Sequence, residues 1–213
     1  WSVKRLVRGI VKSQTFQQNG RHREVAAEMD PRNRLLWRAN RKRLSIEAIR
    51  DSMLAVSHRL DGRLRGRAEI LWGEDYTTRR AVYGFINRFN LDPTLRAFDF
   101  PAPLQTQPSR GESIVAQQAL FTMNSPFVID QARAVTESAE FGRCESDTER
   151  AEFMFQRILG RTPVTNETVR ALKIVEFQSR FKKSQKSPSR LIESPWPLIA
   201  QALMMSNEFQ YVD

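Results

Sequence analysis

The chain has 213 residues, of which 40% are hydrophobic, and this is enough for the core of one large or two small domains. Its only cysteine, Cys144, excludes an internal disulfide and a multi-cysteine zinc site, and no apolar run is long enough for a membrane span. Its 34 Lys and Arg residues outnumber its 24 Asp and Glu residues, giving a formal net charge of +10. The sequence also lacks the motifs for c-type haem attachment, dinucleotide binding, nucleotide phosphate binding and zinc proteases.

The positive charge is concentrated in the first third. Residues 1–67 hold 17 Lys and Arg against 6 Asp and Glu, whereas the remainder is nearly balanced. Guanidinium groups bind phosphate, sulfate and carboxylate, so this part could bind an anionic polymer. The candidate binding residues there are Arg34, Arg38, Arg41 and Arg43. Codon bias, internal ion pairing and an acidic neighbouring domain are simpler explanations of the same charge.

The N-terminal part is predicted to be helical. The chain opens without Met inside an amphipathic helix, which we interpret as part of a longer protein whose start is missing. Ser2 is a suitable N-cap, and an apolar face follows at helical spacing. Asp30-Pro31 predicts a second helical turn. Ser45 predicts a third helix whose buried stripe is Ile46, Ile49, Met53, Val56 and Leu60, with Glu47, Arg50 and Asp51 outside it.

The middle of the chain is the least regular. Residues 61–80 give no clear element, and "AVYGFINRF" favours a helix over a short strand. The Pro-containing stretch "FDFPAPLQTQPSRGES" predicts a long irregular loop, and such loops are often functional. We therefore single out Glu74, Asp75 and Asp99 as candidate catalytic carboxylates, and Arg79 and Arg80 as further candidate binding residues.

The C-terminal part shows the clearest helix signals. Ser125-Pro126 opens a helix ending near Phe141, and Ser146 with Glu149 forms a capping box for a helix that Gly160 ends. Ser194-Pro195 opens a last helix, with Asn207 as its C-terminal cap. The sequence thus predicts a mainly α, irregular multi-helix domain with a long central loop and room for one short β-hairpin. We expect one domain overall, with a basic N-terminal helical part (1–100), an irregular connection (101–112) and a C-terminal helical part (113–213).

Five phrases, in order, cover nearly the whole chain and resemble a known family. They are "WSVKRLVRGIVKSQTFQQ", "DPRNRLLWRANRKRLSIEAIRDSMLAVS", "RRAVYGFINRFNLDPTLRAFDF", "QQALFTMNSPFVIDQARAV" and "SNEFQYVD". Together they resemble the planctomycete cytochrome-associated C-terminal domain, a family of unknown function. The resemblance implies an exported multidomain protein located outside the cytoplasm, in the periplasm or cell envelope. It also implies upstream domains, among them a cytochrome c-like domain that would hold haem c outside this segment.

Three functions follow from these observations. The first is a docking or binding module beside the cytochrome c-like domain, with the upstream domains as partners. The second is an extracytoplasmic carbohydrate-active enzyme domain using Asp99, Asp75 or Glu74, because glycoside hydrolysis needs paired carboxylates. The third is a binder of anionic polymers, with polysaccharide a more natural partner than nucleic acid outside the cell. No cofactor or metal site is expected in this segment, and Cys144 is expected to be an inert thiol.

Overall fold

The computed structural model describes residues 1–184 and 194–212, and it confirms a mainly α fold. A 3₁₀ turn spans Ala81–Tyr83, and two short strands are β1 (Lys42–Arg43) and β2 (Tyr211–Val212). None of the described helices is long and apolar enough to cross a membrane. The helices of the described residues are α1 (Val3–Val11), α2 (Glu24–Met29), α3 (Ile46–Val56), α4 (Pro93–Ala97), α5 (Ala116–Asn124), α6 (Pro126–Thr136), α7 (Ala139–Gly142), α8 (Asp147–Leu159), α9 (Thr165–Ser184), α10 (Trp196–Met205) and α11 (Asn207–Gln210).

The chain forms two compact units. The smaller one contains residues 1–43 together with the chain from Tyr211, and the larger one contains residues 44–210. The division at 101–112 that the sequence suggested stays a prediction.

The smaller unit contains α1, α2 and the two strands. Strands β1 and β2 pair antiparallel, with Lys42 opposite Val212 and Arg43 opposite Tyr211. This ladder joins distant segments of the chain, so it is not the local hairpin for which the sequence left room. The helical turn predicted at Asp30-Pro31 was wrong. Asp30 instead follows α2, and its carboxylate accepts a hydrogen bond from the Leu35 amide at 2.7 Å, which holds a loop.

The larger unit has a continuous apolar core. Helix α6 packs along α10, and α3 and α8 pack against the same core. Ser45 caps α3 by accepting from the Ala48 amide, as the sequence predicted. Three members of the predicted stripe are confirmed as buried, since Ile46, Ile49 and Met53 are each 1% exposed. Val56 and Leu60 are only partly buried, and Leu60 lies beyond the end of α3.

The segment "AVYGFINRF" is not a helix. After the 3₁₀ turn it becomes extended, and the Phe85 amide donates to the Glu69 carbonyl at 2.8 Å. A Cβ atom at Gly84 would overlap the Leu71 side chain, so this close approach requires glycine. Gly84 therefore disfavours a helix at the position where the extended segments around Leu71 and Phe85 come into contact.

Several helix ends agree with the sequence, and others do not. The Ser146–Glu149 capping box and the left-handed Gly160, with φ of 71°, bound α8 as predicted. Helix α6 ends at Thr136 rather than near Phe141, because Ser138 caps the separate short helix α7. Asn207 begins α11 and does not cap α10, which ends at Met205 with Ser206 as its C-cap.

Candidate functional site

The exposed apolar face of α1 is the clearest candidate for a binding surface. The Ser2 hydroxyl accepts from the Arg5 amide at 3.4 Å and fixes the start of the helix. None of the residues of α1 is buried, and the Leu6, Val7 and Ile10 side chains are 55%, 50% and 50% exposed. A shallow groove runs along this face from Trp1 to Ser13. The sequence predicted the helix and the residues of its apolar face, but not that this face is open.

The charged residues of α1 and its caps are all cationic. Lys4, Arg5, Arg8 and Lys12 flank the apolar residues, and neither α1 nor its caps contain an acidic residue. Arg8 lies in the last turn, where a cation interacts favourably with the helix dipole. The helix therefore offers an apolar stripe bordered by positive charge, which suits a partner with an apolar centre and an acidic rim.

One of the four predicted binding arginines of the smaller unit, Arg38, lies beside Trp37. Arg34 and Arg41 are exposed, and Arg38 and Arg43 are partly buried. The Arg38 guanidinium lies 5.0 Å from the Trp37 ring centre, within cation–π range. The indole Nε1 of Trp37 donates to the Asp30 carbonyl at 2.9 Å, so this aromatic ring is fixed.

Arg79, another predicted binding residue, has a structural role. It is 5% exposed and donates to the carbonyls of Arg63, Arg65 and Arg67 and to Glu69 Oε1. Its guanidinium lies 4.0 Å from the Tyr83 ring centre. The Arg79 side chain thus holds the 63–69 loop together through these hydrogen bonds. The neighbouring Arg80 is exposed.

The predicted carboxylates have separate environments. Asp99 accepts from the Ser113 amide at 2.7 Å and from the Ser113 hydroxyl at 2.9 Å. Glu74 and Asp75 are exposed, and neither is among the partners of Asp99. Asp99 therefore ties the central loop to the segment before α5. The described contacts do not pair it with another carboxylate, and the enzyme hypothesis stays a prediction.

Sequence reasoning missed Arg50, which lies at the centre of the larger unit. The prediction that Arg50 lies outside the buried stripe of α3 was wrong, since the residue is 0% exposed. Its guanidinium donates to the carbonyls of Leu71, Thr77 and Arg79. Burial lowers the pKa of Arg50, while the adjacent Asp51 carboxylate, which accepts from the Ala81 amide, opposes this shift.

A second polar cluster links α3, the 61–80 segment and α6. Asp130 Oδ2 accepts from the Arg59 guanidinium at 2.7 Å and from the Tyr76 hydroxyl. Gln131 donates to the same Tyr76 oxygen at 2.8 Å and accepts from Ser57. Burial raises the pKa of Tyr76, and its hydrogen bond to Asp130 acts in the same direction, so the phenol remains protonated at neutral pH.

The arrangement of the His, Cys, Asp and Glu side chains in the described residues decides whether they could hold a metal ion. No group of three or more His, Cys, Asp or Glu side chains there could hold a metal ion. Burial and the nearby Glu149 raise the pKa of Cys144, which keeps its thiol protonated and weakly nucleophilic at neutral pH.

Comparison with known proteins identifies a family that matches the chain, and this family has no known activity. The model of a family described as "PSD1: Protein of unknown function (DUF1553)" matches residues 1–175. No curated protein and no solved structure matches the chain. The expectation of an uncharacterised domain family is therefore confirmed.

Proposed function

The chain belongs to the PSD1 (DUF1553) family of unknown function, and we propose that it is a docking module of an exported multidomain protein. The observation that carries the proposal is the apolar face of α1, formed by Leu6, Val7 and Ile10 and left half exposed. Covering half of each side chain would contribute roughly 1 kcal/mol per residue. Helices as short as α1 are marginally stable alone, so a covering partner would also stabilise the helix itself.

The partner is a neighbouring domain of the same polypeptide. Four cations accompany the apolar stripe: Lys4, Arg5, Arg8 and Lys12. Acidic residues around the binding surface of that domain would complement their charge. The resemblance of the sequence supports a cytochrome c-like neighbour, with haem c held there and not in this segment. It also supports a location outside the cytoplasm, in the periplasm or cell envelope.

Substitution on α1 tests the docking role. The 213-residue chain and the remaining part of its parent protein would be produced separately and their affinity measured by calorimetry. Leu6→Asp should weaken binding at least tenfold, because it places a carboxylate in the apolar stripe. Val25→Asp is the matched control, since Val25 is an exposed apolar residue of α2 and should leave the affinity unchanged.

Two results would contradict this proposal. Equal effects of both variants would mean that α1 does not bind the partner, and an absence of binding by the unmodified chain would remove the docking role. The visible spectrum of the full-length parent tests the cytochrome neighbour separately, because a haem c domain gives a Soret band.

A second candidate function, binding of anionic polymers, is favoured by the charge of the smaller unit. Residues 1–43 contain twelve Lys and Arg against three Asp and Glu, and Arg34 and Arg41 are exposed. Dextran sulfate should bind the chain with an affinity that falls steeply with salt, whereas neutral dextran should not bind. Replacing Arg34 and Arg41 by Gln should weaken binding, and Arg143→Gln in the larger unit should not. If the affinity for dextran sulfate did not change with salt concentration, this function would be excluded.

A further inference from the structure

None of the candidate binding or catalytic residues lines a small cavity in the larger unit. It has a volume of about 230 Å³ and lies between the segment after Glu69, the segment after Gly84 and the start of α4. Its apolar walls include Trp72, Phe85 and Ile86, and its polar lining consists of Asn87, Asn90 and Asp92. This combination of an aromatic wall and convergent polar groups is typical of a small-molecule site.

The Trp72 part of the aromatic wall is held in place by packing. The Trp72 ring packs edge-to-face against Phe121 and Phe127, with centroid distances of 5.2 and 5.4 Å. The buried Arg50 guanidinium lies 5.7 Å from the same ring. Because these contacts hold the indole in place before a ligand arrives, binding on this wall would cost little side-chain entropy.

The polar groups of the cavity are oriented by the backbone. Asn87 Oδ1 accepts from the amides of Phe89 and Asn90 at 3.0 and 3.2 Å. Asp92 Oδ1 accepts from the Thr94 amide at 2.8 Å and caps α4. Within the described part of the chain, no hydrogen bond uses Asn87 Nδ2, the Asn90 carboxamide or Asp92 Oδ2. Amide donors and a carboxylate acceptor therefore remain for a ligand.

Charge narrows the class of ligand. No Lys or Arg side chain is among the described residues that line the cavity, and Asp92 is the ionisable residue among them, so the lining offers an anionic ligand no cationic partner. A ligand that suits the site is neutral, has an apolar face for Trp72 and carries adjacent hydroxyls for the amides and the carboxylate. We propose that this cavity binds a neutral pyranose sugar ring.

The proposed activity is binding, not hydrolysis. Glycoside hydrolysis requires two carboxylates flanking the bond, and the described lining holds only Asp92, which already caps α4. The site is also independent of α1, so the docking role can fail while sugar binding holds. A single ring in a small site suits dissociation constants in the millimolar range.

Heteronuclear NMR of the full chain provides the test. The probes are the methyl pyranosides of glucose, galactose and mannose, with methyl glucuronide as the anionic comparison and cyclohexanol as the apolar one. At least one neutral pyranoside should shift the Trp72 indole signal in a saturable manner, while the Trp196 signal stays unchanged. The glucuronide should bind more weakly than the matching glucoside.

Variants assign the binding to this cavity. Asn87→Asp keeps the turn acceptor but removes the amide donor, and Asn90→Ala removes a carboxamide. Each should raise the dissociation constant about fivefold, the usual effect of losing one hydrogen bond. Phe89→Ala is the control, because Phe89 is 90% exposed and lies outside the lining.

Several results would overturn the proposal. They are the absence of a saturable Trp72 shift with all three pyranosides, tighter binding of the glucuronide, and cyclohexanol binding equal to sugar binding with no effect of Asn87→Asp.

Discussion

Arg50 organises the irregular segment between residues 71 and 79 from a position inside α3. Its guanidinium has no exposure to solvent, and three backbone carbonyls of that segment surround it. A buried charge with several hydrogen bonds is tolerated, but removing it leaves every one of those acceptors without a donor. Three backbone acceptors of the segment, which also carries Trp72 and Tyr76, therefore depend on one side chain.

Replacing Arg50 tests this dependence. We expect Arg50→Ala to lower the free energy of unfolding by about 3 kcal/mol, as measured by urea denaturation. Arg50→Lys keeps the charge but cannot reach all three carbonyls, so its loss should be smaller. Arg80→Ala, at an exposed position of the same region, should stay within about 0.5 kcal/mol of the unmodified chain. Equal stability of all three variants would show that the carbonyl contacts contribute little.

An ion pair in the larger unit gives the chain a defined acid sensitivity. Arg161 donates to Glu167 and to Glu208 at 2.8 and 2.5 Å. Its hydrogen bond to Glu167, together with that from the Val164 amide, lowers the pKa of Glu167 from 4.5 to about 2. Because the folded pKa is depressed, the stabilisation is present above about pH 4.5 and is lost as pH falls towards 2.

Glu167→Gln should therefore make the unfolding free energy less dependent on pH between about 4.5 and 2. Thermal unfolding across that range measures the slope. The exposed Glu152→Gln on α8 is the control and should retain the unmodified slope. A steeper slope in Glu167→Gln would contradict the assignment.

Helix α8 is the element whose two ends are best specified by its own residues. Ser146 and Glu149 satisfy the first amides, and Gly160 adopts the left-handed conformation that ends the helix. Capping depends on residues within one turn, so it can be predicted from the sequence.

Gly160→Ala should destabilise the chain by about 1 kcal/mol, because the new Cβ disfavours a positive φ. Gly142→Ala is the matched control: its backbone angle is not in that region and nothing lies within 4 Å of a Cβ placed there. Chemical denaturation of both variants compares them. Equal losses would mean that backbone conformation does not set the cost.

The elements that the sequence missed depend on distant contacts. Gly84 and the segment after it are extended because they pair with Glu69 and pack on Leu71, which no local pattern specifies. The stripe of α3 was predictable from helical periodicity, yet the burial of Arg50 was not, since its acceptors lie far along the chain. The cavity beside Trp72 was missed for the same reason: its lining comes from several separate segments.

Amide hydrogen exchange should separate the parts of this chain clearly. Amides in α6, α8 and α10, whose side chains form the core, should exchange at least about a hundredfold more slowly than those of α1, which has no buried residue. On the proposed docking role, adding the proposed neighbouring domain should slow exchange in α1 and leave α8 unchanged. Unchanged exchange in α1 would argue against docking there.

The ladder between β1 and β2 has a consequence for biosynthesis. Lys42 and Arg43 leave the ribosome before their partners Tyr211 and Val212, which emerge only after the intervening helices have been made. The larger unit can begin to fold during translation, whereas this pairing must wait for the late segment to be released. The ladder is therefore among the last contacts of the smaller unit to form, although one of its two strands is made long before.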